Sequence, residues 1–177
     1  MTQISTHRKF VVHSLLAIDE GAHADVLLSE FKGSSLDRAT VQHILLGILR
    51  WRGSLDELLS KLISRKPKRI IRNILRLGVF ELFFCRTPNH AVIHQAVELC
   101  KKVGKGRDKG FVNAVLRKAS TMEIDRSTTL NLPIWLRERW KEHYPWLEKL
   151  QTPPRLSICW KDSQVGLDSD FKMEAAR

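Results

Sequence analysis

Cysteine, tyrosine, acidic side chains and long apolar runs are all scarce in this chain of 177 residues. Its three cysteines, Cys85, Cys100 and Cys159, stand far apart and form no C-x-x-C pair. That spacing suggests neither a disulfide framework nor a zinc knuckle, and it suits a reduced, cytoplasmic protein. No run of about 18 apolar residues occurs, so no transmembrane helix is available and no membrane role is expected. The polar start, residues 1–8, leads into an amphipathic segment rather than the apolar core of a signal peptide. With 9 Gly, 6 Pro and 28% charged residues, the composition is neither fibrous nor disordered. At 43% hydrophobic, the chain holds enough apolar surface for the core of one domain with a short appendage.

The shortage of acid is the first functional clue. Lys and Arg number 30 against 19 Asp and Glu, a formal net charge of +11. The excess is zero over residues 1–50 and zero again over 151–177, so the middle of the chain carries all of it. Such asymmetry is the footprint of a polyanionic partner, nucleic acid before membrane. The bland alternative is a solubilising surface that serves no partner.

Hydrophobic spacing is helical almost throughout the first 151 residues. Ser5 or Thr6 is expected to cap a first helix to about Ile18, with Val11, Ser14 and Leu15 inward. A short helix follows over 24–31, and Ser35 caps a long one to about Arg52 that buries Val41, Ile44, Leu45 and Ile48. Gly53 breaks it, and Ser54 starts a further helix ending before Pro67. That proline suits the first turn of the next helix, which runs to about Arg86. This helix is apolar around most of its circumference and belongs at the centre of a bundle. Helices over 90–103, closed by Gly104, and over 110–120 complete the set. A polar linker spans 121–132, and Pro145 divides two short helices in 132–150. Residues 155–160, RLSICW, form a lone strand candidate, which by itself makes no sheet.

Three basic clusters stand out. Arg65, Lys66, Lys68, Arg69, Arg72 and Arg76 fall within twelve residues that contain no acid. Arg69, Arg72 and Arg76 share one helical face, and phosphates relieve their mutual repulsion through bidentate contacts. Lys101, Lys102, Lys105, Arg107 and Lys109 occupy a helix end and a glycine-containing loop suited to phosphate contact. Arg117 and Lys118 end the next helix. The last two clusters also read simply as cations complementing helix dipoles. His90 and His94 have metal-compatible spacing but neither an H-E-x-x-H carboxylate nor a third ligand, so no metal site is expected. GKGRDKG (104–110) lacks the P-loop pattern, and no Gly-rich turn follows a strand. No nucleophile–base pair is evident, and the chain reads as non-catalytic.

Five motifs in order carry a resemblance: L-D-R-A (36–39), L-G-I-L-R (46–50) with S-L-D (54–56), I-L-R-L-G-V-F-E-L (74–82), P-N-H-A-V (88–92) with A-V-E (96–98), and K-G-F-V-N-A-V-L-R (109–117). Together they resemble the NusB-like domain that begins bacterial 16S ribosomal RNA cytosine-C5 methyltransferases of the RsmB (Sun/Fmu) family. L-P-I-W-L (132–136) and P-P-R-L-S-I (153–158) resemble that family's junction into its next domain. Two departures stand out. Gln95 replaces a usual acidic residue, and C-W-K-D follows Ile158 where an Arg-Val-Asn type continuation is usual.

The resemblance implies an all-α, NusB-like bundle of two helical subdomains, with a short C-terminal extension that begins a missing domain. It divides the chain into an RNA-binding helical domain (1–120), a linker with short helices (121–152) and the truncated start of a next domain or a disordered tail (153–177). Ribosomal RNA is the implied partner, bound by the three basic clusters. S-adenosylmethionine and the catalytic cysteine of the full-length family belong to a separate domain, and none of the three cysteines here matches that motif. A separate or missing methyltransferase domain is a second implied partner. The alternative is a protein-interaction or antitermination module that docks a ribosomal or transcription-complex protein. Gly47 and Gly78, mid-helix, are expected where helices pack closely. Asp37 with Arg38, and Asn113 with Arg117, are expected to make structural polar contacts.

Overall fold

The computed structural model describes residues 3–103 and 106–141. Among these, nine helices follow one another and no strand occurs. They are α1 (Gln3–Asp19), α2 (Ala24–Glu30), α3 (Ser35–Arg50), α4 (Arg52–Leu62), α5 (Arg69–Phe84), α6 (Asn89–Val103), α7 (Lys109–Ala119), α8 (Thr128–Asn131) and α9 (Ile134–Arg139).

Helix α5 is the centre. It packs against α1, α3, α4, α6 and α7, as its nearly continuous apolar surface predicts. Ile71, Ile74, Leu75, Leu77, Val79 and Phe80 are buried along it. They meet Val11, Val12 and Leu15 of α1, Val41, Leu45 and Ile48 of α3, Leu55 and Leu58 of α4, and Val112 and Leu116 of α7 in one core. The expected glycines mark the closest approaches. A β-carbon on Gly47 would lie 2.2 Å from the Phe80 ring, and one on Gly78 would lie 2.7 Å from Leu116.

Several boundaries differ from expectation for local reasons. Ser34, not Ser35, caps α3: its hydroxyl accepts from Asp37 N–H while Asp37 accepts from Ser34 N–H, a complete capping box. Asp37 therefore serves the cap, and Arg38 turns instead to the Phe31 carbonyl at 3.2 Å. Thr6 lies inside α1 rather than capping it, because that helix begins at Gln3. The break between α3 and α4 falls at Trp51, which ends one helix and precedes the other. Pro67 sits just ahead of α5, whose N-cap is Lys68. Gly104, the lone strand candidate, the division at Pro145 and Cys159 lie outside the described residues.

The linker after α7 is pinned to the bundle. Ser54 N–H donates to Asn131 Oδ1 at 2.9 Å, and Asn131 Nδ2 donates to Ser54 Oγ at 2.8 Å. Arg126 lies over the Phe84 ring, 4.9 Å from its centroid, and donates to the Phe83 carbonyl. Phe84 in turn stacks between Trp51 and Phe80. Gly53 makes this approach possible, since a β-carbon there would lie 1.7 Å from the Leu130 carbonyl oxygen. A backbone oxygen cannot swing aside as a side-chain tip can. Gly53→Ala is therefore expected to cost about 1–3 kcal/mol, read as a lower thermal midpoint with early proteolytic release of the linker.

Candidate nucleic-acid interface

The first basic cluster is divided by the fold. Arg76 is only 3% exposed. Its guanidinium donates from Nε and Nη2 to both oxygens of Asp56, at 2.8 and 2.7 Å, and from Nη1 to Asn73 Oδ1 at 2.7 Å. Asp19, at the end of α1, lies 3.8 Å from Nη1 and also accepts from Arg52 and Asn73. Three helices, α1, α4 and α5, thus converge on one buried cation. Arg76 therefore cannot serve as a surface phosphate ligand, which corrects the expectation from the sequence. Arg72 shares Asp56 at 3.1 Å, and Arg69 makes a long 3.8 Å pair with exposed Glu20. Arg65, Lys66 and Lys68 stay exposed before α5, with no ion pair among the described residues.

The network's electrostatics follow from its burial. Burial pushes the Asp19 carboxyl up, but bonds from Arg52 and Asn73 and the charges of Arg52 and Arg76 outweigh it, holding the group below its ordinary value. A second buried pair joins α1 to α5, with Arg8 donating to both oxygens of Glu81 at 3.1 and 2.7 Å. There burial outweighs Arg8 and raises the Glu81 carboxyl. Burial likewise drives the Cys85 thiol up to about 11, with Glu81 adding to it, and raises Cys100. Neither sulfur is a thiolate nucleophile near neutral pH.

The other clusters fare differently. Helices α6 and α7 pack against each other, and a groove of about 550 Å³ lies between them. His90 and His94 line it from α6, above Ile93 and Val97. Lys109, Asn113 and Arg117 line it from α7, at i, i+4 and i+8 on one face. No carboxylate lines this groove. Lys109 and Arg117 are exposed, as are Arg107 and Lys118, and none of the four makes an ion pair among the described residues. Lys101 is held by Glu98 at 2.5 Å, Lys102 is exposed, and Lys105 lies outside the described residues. The expected contact between Asn113 and Arg117 does not form. Both face the groove. Gln95 keeps a buried Oε1 without a hydrogen bond.

The partners of Arg76 were hidden from local reading because Asp56 lies 20 residues away and Asp19 57. The groove left a readable trace in the i, i+4, i+8 spacing of Lys109, Asn113 and Arg117. Its facing histidines invited only a metal question, and among the described residues no three His, Cys, Asp or Glu side chains converge to hold a metal.

The NusB family pattern matches residues 5–121. The chain belongs to the NusB family. A solved NusB structure from T. maritima superposes with a TM-score of 0.63 at 20% identity, covering 71% of this chain and 95% of that one. The shared fold is therefore that of NusB. Similar in sequence are the ribosomal RNA small subunit methyltransferases B of Thermus thermophilus, 37% identical over 143 residues, and Escherichia coli O1:K1, 29% identical over 124. These matches cover 77% and 64% of this chain but 35% and 29% of those proteins, in their N-terminal part. This NusB-family chain thus spans about a third of the length of the curated relatives it matches.

Removing the buried guanidinium leaves Asp56 without its bidentate partner and takes a cation from beside Asp19. Arg76→Ala is expected to destabilise the domain by about 3–5 kcal/mol, measured by urea denaturation. Because the folded Asp19 pKa lies below the unfolded one, its contribution is complete above roughly pH 3.9 and is lost as pH falls through the folded value. Asp19→Asn is expected to be less stable than wild type near neutrality, and its urea midpoint should fall less steeply below about pH 4.

Proposed function

We propose that this NusB-family domain binds ribosomal RNA in the service of 16S rRNA cytosine-C5 methylation. The observation that carries the reading is a set of cations just before and along α7, Arg107, Lys109, Arg117 and Lys118, that have no ion pair among the described residues, two of them lining a groove with no carboxylate in its lining. Arg65, Lys66 and Lys68 add exposed charge before α5. Phosphates satisfy such groups where protein carboxylates do not, and counterion release supplies the driving force. Similarity to small subunit methyltransferases B supports ribosomal RNA as the nucleic acid. Such work belongs in the cytoplasm, and among the described residues no helix is long and apolar enough to cross a membrane.

In this reading S-adenosylmethionine belongs to a separate Rossmann-like domain, whose Gly-rich strand-to-helix turn would cradle it. Cofactor and methyl transfer would reside in the remaining part of such a methyltransferase, in the same or a second polypeptide. One observation favours a protein contact beside the RNA contact. Ile134 and Trp135 of α9 are 65% and 63% exposed, an apolar pair suited to a neighbouring domain.

With about five phosphates engaged, log K for single-stranded RNA is expected to fall against log salt with a slope near −3.5. Replacing Arg117 and Lys118 together by Ala is expected to reduce that slope by about 1.4, whereas Arg72→Ala should move it little. A flat salt dependence, or a slope untouched by the α7 replacements, would refute the reading. Capture of a ribosomal or transcription-complex protein that survives RNase and needs Trp135 would shift it toward protein docking.

A further inference from the structure

We infer that the groove between α6 and α7 selects a base as well as gripping phosphates, and that its preferred occupant is a single-stranded RNA segment with one adenine. The inference rests on the RNA-binding reading above and deepens it. Lys109 and Arg117 stand at either end of one α7 face, with Asn113 between them, one helical turn from each. Two cations flanking a carboxamide is an arrangement for a nucleotide held at both phosphates with its base in the middle.

Asn113 is half-buried and makes no hydrogen bond to the described residues. Its carboxamide lines the groove with its oxygen and amino group free of partners among the described residues, so both are available to a ligand. A carboxamide offers an acceptor and a donor side by side. On the Hoogsteen edge adenine matches this pair with its N6 amino group and N7, whereas guanine presents acceptors at both positions there. Across the groove, His90 and His94 supply imidazole rings one turn apart, a type of surface on which unstacked bases lie. Ile93 and Val97 make its lining apolar, which favours the larger face of a purine over a pyrimidine. With the base entering by its Hoogsteen edge, the amide thus sorts adenine from guanine, and stacking sorts it from uracil and cytosine.

The test uses the full chain and fluorescein-labelled oligouridines of about nine nucleotides, each with A, G, C or U at the centre, read by anisotropy. The adenine oligomer is expected to bind about ten-fold more tightly than all-uridine, the scale of one well-placed amide–base pair. Asn113→Ala should abolish that preference while leaving all-uridine affinity within about two-fold. Lys109→Ala and Arg117→Ala should weaken all four oligomers alike. Should Asn113→Ala melt below assay temperature, His94→Ala carries the test, and it is expected to narrow the preference by shortening the stacking surface. Equal binding of the four oligomers by wild type overturns the inference and leaves the RNA-binding reading standing. Loss of affinity by the same factor for all four in both variants does so too. Absence of salt-dependent binding to any of them overturns both.

Discussion

The buried guanidinium of Arg76 is the constraint around which this bundle is organised. A planar cation with five donors cannot enter an apolar interior unless several acceptors meet it there. Asp56 from α4, Asp19 from the end of α1 and Asn73 from α5 itself supply them. Each acceptor sits on a different part of the chain, so α5 can occupy the centre only when α1 and α4 are correctly placed around it. The Arg8–Glu81 pair repeats the device one turn further along α5. Such pairs add little net stability compared with apolar packing, but they penalise every arrangement that leaves a buried charge unmatched. Around them, the close contacts of Gly47 with Phe80 and of Gly78 with Leu116 set the helix spacing.

That arrangement also decides where positive charge is left for a partner. On α5, Arg76 is drawn inward and Arg72 half-paired by acids of α1 and α4, while Arg69 stays exposed. Charges on α7 and on the loop before α5 meet no acid among the described residues. Two of these unpaired cations, Lys109 and Arg117, lie at the edge formed by α6 and α7, in the furrow between the two helices. The histidines and the asparagine there give the furrow flat rings and an amide beside its charge, more than non-specific attraction requires.

The segment after α7 ties the domain to whatever follows it. Asn131 clasps Ser54, Arg126 covers Phe84, and Gly53 lets the linker backbone come close, so α8 lies against α4. The pinned part of this exit runs as far as Asn131, at the end of α8.

Sequence alone determined the helical class, the central position of α5 and most of its buried residues, because apolar side chains at helical spacing have few ways to leave water. It also showed the excess of positive charge and the five ordered motifs of the family. Only the tertiary structure decided which cations are available. Arg69, Arg72 and Arg76 share a face and read alike, yet one is exposed, one half-paired and one sealed beneath two carboxylates. The difference lies in Asp19 and Asp56, distant along the chain and brought near by packing. A charge's environment is a sum over spatial neighbours, which hydrophobic periodicity along the chain does not encode.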